Sequence, residues 1–240
     1  MTSRVIIDCI SDLHGHYPKL QGGDILIVAG DLTASDLPEQ YFVFEEWLAA
    51  QPYNNKIVIA GNHDNFLIEN GNHMFAGIDY LCDSSVTYEG LTFYGTPWSI
   101  RFKNQNPNCC AFTVKSEDEL SDKMENIPHD IDILITHEAP YGIRDMIRDQ
   151  MYPDVRHVGS RYLYNWFKYV QRPYLHVFGH IHEGYGVEKE FMSWEDKYVT
   201  SVNASHVNAH YNPVNQPIRV ELNVSPIQLL SRKESNLPEG

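Results

Sequence analysis

The feature that most constrains this chain is a pattern that recurs five times. Short, β-branched-rich apolar runs each end in a polar corner that holds metal-competent side chains. Residues 5–10 lead into Ser11-Asp12-Leu13-His14, residues 25–29 into Gly30-Asp31, and residues 56–60 into Gly61-Asn62-His63-Asp64. Residues 131–136 are followed by His137, and residues 175–178 by Gly179-His180-Ile181-His182. Runs this short and this continuously apolar predict strands buried on both faces. Further strands are expected at 78–81, 86–88, 91–95, 198–203 and 218–222. Helical patterns occupy 38–50, 116–126 and 160–170, the second opened by Ser116 and Glu119 in capping-box spacing. Strands alternate with helices early and dominate late, which predicts an α/β layered sandwich. One domain is expected over residues 1–225, with a polar tail over 226–240.

In layered α/β folds, ligands bind where strand C-terminal ends open onto a common crevice. Five such ends would gather Asp12, His14, Asp31, Asn62, His137, His180 and His182 there. Any one of these motifs alone is weak, because a lone histidine near a strand end is usually just a satisfied polar residue. Their joint occurrence, each after a strand-like run, turns the reading toward metal chemistry. Imidazole, carboxylate and amide oxygen suit borderline divalent ions: manganese is expected first, with iron, zinc, cobalt and nickel also admitted. Seven donors exceed the needs of one ion and suit two if a carboxylate is shared. Asp31, between the donor groups in sequence, is the natural bridge. Two ions roughly 3.5–4 Å apart can clamp a phosphoryl group and activate a hydroxide for in-line attack.

Charge narrows the substrate. There are 18 Lys plus Arg against 32 Asp plus Glu, a formal net charge of −14, and no basic run offers a local exception. Such a surface repels polyanions, so long nucleic acid is not expected as a partner. Two divalent ions would outweigh the charges of Asp12 and Asp31, so a small phosphate ester or nucleotide remains accessible. The four cysteines, Cys9, Cys82, Cys109 and Cys110, lack CxxC spacing, which argues for reduced thiols and against a thiolate zinc site. No apolar stretch reaches membrane-spanning length and the first residues show no signal-peptide pattern, so a soluble, cytoplasmic protein is expected.

These motifs resemble the series of the calcineurin-like metallophosphoesterase superfamily: D-x-H, G-D, G-N-H-[D/E], a single His after a strand, and G-H-x-H. The nearer resemblance is to the brain-expressed metallophosphoesterase-domain proteins of animals and their bacterial, class III phosphodiesterase-like relatives. It is carried by GDIL at 23–26, KIVIAGN at 56–62, YGTPW at 94–98 and LHVFGHIHEGYG at 175–186. The resemblance implies a four-layer α/β/β/α sandwich. It also implies one ion on Asp12, His14, Asp31 and His182, and a second on Asp31, Asn62, His137 and His180. His63 would protonate the leaving oxygen or stabilise the transition state, its ring oriented by Asp64. The implied activity is hydrolysis of small phosphodiesters, cyclic nucleotides included, and a homodimer is admitted. A phosphomonoesterase, or a scaffold that binds metal without catalysis, are the alternatives. One departure is Glu138-Ala139-Pro140, where the animal relatives carry Gly-Pro-Pro; it places a negative charge beside the site.

Other residues carry weaker readings. Trp98, Tyr185 and Asn203 are candidates for substrate binding, each set against a plain packing role. His16 is expected to be a loop residue. Residues 141–148 are expected to form an amphipathic helix with a solvated basic face, contact of Arg144 and Arg148 with a substrate phosphate being the alternative. The aromatic stripe of Tyr162, Tyr164, Trp166, Phe167 and Tyr169 is read as core or as an oligomer contact.

Overall fold

A computed structural model describes residues 4–102, 105–148, 155–170, 173–192, 197–224 and 227–233. In chain order, the first half forms β1 (Arg4–Ile10), β2 (Gly23–Ala29), α1 (Pro38–Ala49), β3 (Tyr53–Ile59) and the single-turn α2 (Leu67–Asn70). It continues through β4 (Asp79–Tyr80), β5 (Ser84–Tyr88), β6 (Leu91–Thr96), β7 (Ser99–Ile100) and β8 (Thr113–Val114). The second half adds α3 (Glu117–Met124), β9 (Ile133–Thr136), β10 (Met146–Arg148), β11 (Val155–His157), α4 (Arg161–Tyr169) and β12 (Leu175–Phe178). It ends with β13 (Gly186–Met192), β14 (Lys197–Asn203), β15 (Ile218–Val224) and β16 (Ile227–Lys233).

Two six-stranded sheets result, ordered β16-β15-β1-β2-β3-β4 and β13-β14-β12-β9-β6-β5. Each has a parallel centre: β1 to β4 pair in parallel in one, and β6, β9, β12 and β14 in the other. The apolar runs are continuous because both faces of each sheet are covered. On β2, Ile25, Ile27 and Ala29 face the other sheet and meet Phe93, Ile133 and Val177. Leu26 and Val28 point the opposite way, toward Tyr41, Phe44 and Leu48 of α1. The second sheet turns Tyr94, Leu134 and Val199 outward against Leu120 and Met124 of α3 and Leu163, Trp166 and Phe167 of α4. The layers are therefore helix, sheet, sheet, helix, as the resemblance implied. Truncating a fully buried residue between the sheets, such as Ile27, to alanine costs about 2–5 kcal/mol in comparable cores.

The helices begin as their sequences dictate. α1 places Pro38 in its first turn, where a missing N–H costs nothing. Ser116 caps α3 by accepting Glu119 N–H, and Ser160 caps α4 by accepting Leu163 N–H.

Two expectations fail here. Residues 141–148 are not a helix. Gly142 and Arg144 both adopt positive φ, and the chain enters the β10–β11 hairpin instead. Buried Asp145 holds that turn by accepting the N–H groups of Gly142 and Gly159. The stretch read as a polar tail also contains β16, which pairs antiparallel with β15. Its mean polarity hid a short run containing Ile227, Leu229 and Leu230. In the aromatic stripe, Trp166 is buried while Tyr169 is 62% exposed. No helix of the described residues is long and apolar enough to cross a membrane.

Candidate metal centre

The parallel strands of both sheets end on one side, and their corners meet at the seam between the sheets. Asp12 and His14 follow β1, Asp31 follows β2, and Asn62 and His63 follow β3. His137 follows β9, and His180 and His182 follow β12. All seven expected ligands come together. Asp31 is the hub: its Oδ2 lies 3.6 Å from His14 Nε2, and its Oδ1 lies 3.5 Å from His137 Nε2. His182 Nε2 stands 3.3 Å from Asp12 Oδ1 and 3.4 Å from His14 Nε2. Asn62 Oδ1 is 3.0 Å from His137 Nε2, while its amide N–H donates to Cys109 O, which turns the oxygen inward. Three overlapping groups, Asp12/His14/His182, His14/Asp31/His63 and Asp12/Asp31/His137, each hold their donor atoms within 4.8 Å of one another.

Backbone geometry explains why the corners contain these residues. Asp12, His14, Asp31 and His180 all adopt positive φ, at 50°, 43°, 55° and 69°. This is a costly conformation for side-chain-bearing residues, and it concentrates at functional sites. The motif glycines are steric necessities. A Cβ on Gly30, itself at φ 99°, would sit 2.6 Å from His137 Nδ1, and one on Gly179 would collide with the Asp12 carboxylate and the Ser11 hydroxyl.

The electrostatics call for cations. Burial works to raise Asp12, yet its hydrogen bond to His182 and that residue's charge hold it well below the usual carboxylate range. Asp31 is likewise held low against its burial, chiefly by His137 and His63. Burial opposes a charge on His137, but the Asp31 carboxylate pushes it up to about 10. His180 is the opposite case. Burial pushes it down to about 3, and among the described residues its buried Nε2 has no hydrogen-bond partner. A buried, neutral, unpartnered imidazole nitrogen beside carboxylates fits a metal ligand, since such an atom otherwise costs free energy. The oxygen and nitrogen donor set, with no thiolate in it, suits divalent ions.

His63 lies at the rim. Its side chain is 23% exposed and its Nε2 stands 3.9 Å from Asp31 Oδ2. Asp64, expected to orient that ring, does something else. Its carboxylate accepts the N–H groups of Asp31, Leu32 and Gly61 and the hydroxyl of Tyr41, so it ties the β2 and β3 corners together. Burial, then the charge of Asp31, pushes it up to about 7. Among the described residues no hydrogen bond joins Asp64 to the His63 ring.

A cavity of about 370 Å³ opens from the centre, walled by Asp31, His63, His180 and His182 together with Phe102, Gln105, Ile147, Glu183 and Tyr211. None of the three expected substrate residues lines it. Trp98 donates its indole N–H to Asp83 and carries Lys123 over its ring. Tyr185 packs against the inter-sheet core and donates its hydroxyl to Gln216 O. Asn203 is fully buried; it donates to Ile181 O and accepts the Ser205 backbone N–H, while the Ser205 hydroxyl donates to Asp12. It thus braces the ligand corners from behind. Glu138 does not face the cavity either. It is buried, accepts Ile100 N–H, and is pushed up to about 8 by that burial, which leaves little charge beside the site near neutral pH. His16 is an exposed loop residue, as expected. Tyr211 and Phe102 were missed. Phe102 stacks on His180 at an interplanar angle of 4°, and neither residue follows an apolar run that would have marked it.

Comparisons with known proteins agree with this geometry. The sequence profile of the calcineurin-like phosphoesterase family matches residues 6–184. Human metallophosphoesterase domain-containing protein 1 is 37% identical over 242 residues, covering 89% of this chain and 70% of that protein. UPF0046 protein T07D4.2 of Caenorhabditis elegans is 32% identical, covering 91% of this chain and 60% of that protein. The crystal structure of TT1561 of Thermus thermophilus superposes with a TM-score of 0.56 at 15% identity, over 95% of this chain and 98% of that one, and so shares the fold. By profile, by relatives and by the strand-end ligands, the chain belongs to the calcineurin-like phosphoesterase family.

Proposed function

We propose that the protein is a dinuclear-metal phosphodiesterase that hydrolyses a small phosphodiester, cyclic nucleotides being members of that class. The reading rests above all on Asp31, whose two carboxylate oxygens face different histidines, Oδ2 toward His14 and Oδ1 toward His137. A carboxylate so placed can be shared by two ions, one on Asp12, His14 and His182 and the other on Asn62, His137 and His180, with manganese the first choice. When bound, such ions neutralise charge on the phosphoryl group and supply a water-derived nucleophile.

The chain's own residues do the rest. His63, partly exposed at the cavity side of Asp31, would give a proton from its ring to the departing alkoxide. Asp64 keeps the corners of β2 and β3 fixed, so Asp31 and His63 hold their spacing. Glu183 in the cavity wall adds negative charge, which penalises a doubly charged monoester more than a singly charged diester.

The test is hydrolysis of bis-p-nitrophenyl phosphate against p-nitrophenyl phosphate by metal-stripped protein with Mn²⁺ restored, alongside His63→Ala. Faster cleavage of the diester is expected, with the mutant slowed about 10²–10⁴-fold while keeping its metal. Cleavage of the monoester alone would move the protein to the phosphatase reading, and metal binding without turnover of either would favour the scaffold.

A further inference from the structure

Tyr211 belongs to none of the ligand motifs, yet its ring stands over them. Its centroid lies 4.8 Å from that of His14, 5.1 Å from His182 and 6.3 Å from His63, each in a T-shaped arrangement. It lines the cavity and remains 48% exposed. Its φ is 60°, a conformation that a bulky residue adopts only when its surroundings enforce it. A dedicated turn does so. Tyr211 N–H bonds to Asn208 O, Asn208 N–H bonds to Asn212 O, and the Asn208 side chain accepts the N–H groups of His210 and Asn212. A bridge between Val207 and Pro213 closes the loop, and Asn215 ties it to Ser205, the residue that also supports Asp12.

Core packing does not by itself account for this arrangement, because about half of the residue's surface is left in solvent despite the strained backbone. Phe102 differs, since a face of its ring is already taken by His180. Among the described residues the Tyr211 hydroxyl makes no hydrogen bond, so what the loop presents to the cavity is an aromatic surface.

We infer that Tyr211 is a specificity-determining residue whose ring receives a planar aromatic ester substituent, a nucleobase or an aryl group, beside the ligand histidines. The inference rests on reading the centre as a phosphoesterase site, and it assigns the class of group carried by the ester. Stacking on such a ring is tolerant of the group's identity and contributes about tenfold in affinity.

The experiment is calorimetric titration of Mn²⁺-loaded protein with diphenyl phosphate and with diethyl phosphate, on wild type, Tyr211→Phe and Tyr211→Leu. Metal content and melting temperature are measured for each. Wild type and Y211F are expected to bind the diphenyl ester about tenfold more tightly than the diethyl ester. Y211L, which keeps apolar bulk without the ring, should lose that preference with its metal retained. No preference in wild type, or a preference that survives in Y211L, overturns the assignment. Failure of the phosphodiesterase reading would look different: no turnover of bis-p-nitrophenyl phosphate by wild type, with the aryl preference and its dependence on Tyr211 intact.

Discussion

The two sheets contribute unequal chemistry to the centre. Strand ends of the first sheet supply both carboxylates of the candidate ligand set, Asp12 and Asp31, with His14, Asn62 and His63. Strand ends of the second sheet supply imidazoles alone: His137, His180 and His182. Both carboxylates of the candidate ligand set thus lie on one side of the seam, and the other side offers only imidazoles to it. The bracing differs as well. The first sheet's corners are tied by a buried carboxylate, Asp64, that collects three backbone N–H groups and a tyrosine hydroxyl. The corner after β12 is held at Ile181 O by the neutral Asn203 amide and at His180 N–H by the Asp12 carboxylate of the first sheet, while the Glu138 carboxylate holds β7. The lesson is that the anionic side needs rigid spacing, because two carboxylates held close repel unless cations lie between them.

The comparison can be broken most severely at Asp31. Asp31→Ala should take bound metal below two per chain by elemental analysis and reduce diesterase turnover by orders of magnitude. Full two-metal stoichiometry in that variant would remove Asp31 from the bridging position. The next largest effect is expected at the brace. Asp64→Ala strands three buried N–H donors and should destabilise the fold by about 3–5 kcal/mol in denaturant titration. A loss under about 1 kcal/mol would mean that the corners hold without it.

A last test sharpens the contrast through pH. Glu138 is pushed up to about 8 in the folded protein from an ordinary value of 4.5. The native state therefore keeps a proton that the unfolded chain has released, and stability from this group is full below about 4.5 and is lost as pH rises through 8. Glu138→Gln keeps an acceptor for Ile100 N–H and removes the titration. Its melting temperature relative to wild type should climb between about pH 5 and pH 8. A pH-independent difference would show that Glu138 titrates normally.

Much of this was legible in the sequence, for reasons that can be named. Strands such as β2 and β12 were visible because cover on both faces demands apolar residues at every position. The seven candidate ligands were visible because each closely follows such a strand. Long-range arrangements were not. Asp64 adjoins His63 in sequence, but its carboxylate is drawn to the N–H groups of Asp31 and Leu32 across the corner from β2. Trp98 and Tyr185 looked exposed to ligand only because their partners, Asp83 and Gln216, lie 15 and 31 residues away. Tyr211 sits in a turn whose N–H groups donate to Asn208, with no apolar run to announce it. The positive φ of Arg144 lies in the turn pinned by Asp145, which defeated the helix expected at 141–148.

The left-handed backbone at Asp12, His14, Asp31 and His180 bears on whether this centre could be transplanted. Copied as letters onto a surface loop of another scaffold, Asp-Leu-His or Gly-His-Ile-His would relax into ordinary turns and aim its imidazoles elsewhere. What holds each corner is the strand that feeds it and the opposing atoms that leave no space for a Cβ at Gly30 or Gly179. An engineer borrowing this chemistry would have to carry over the junction of two whole sheets.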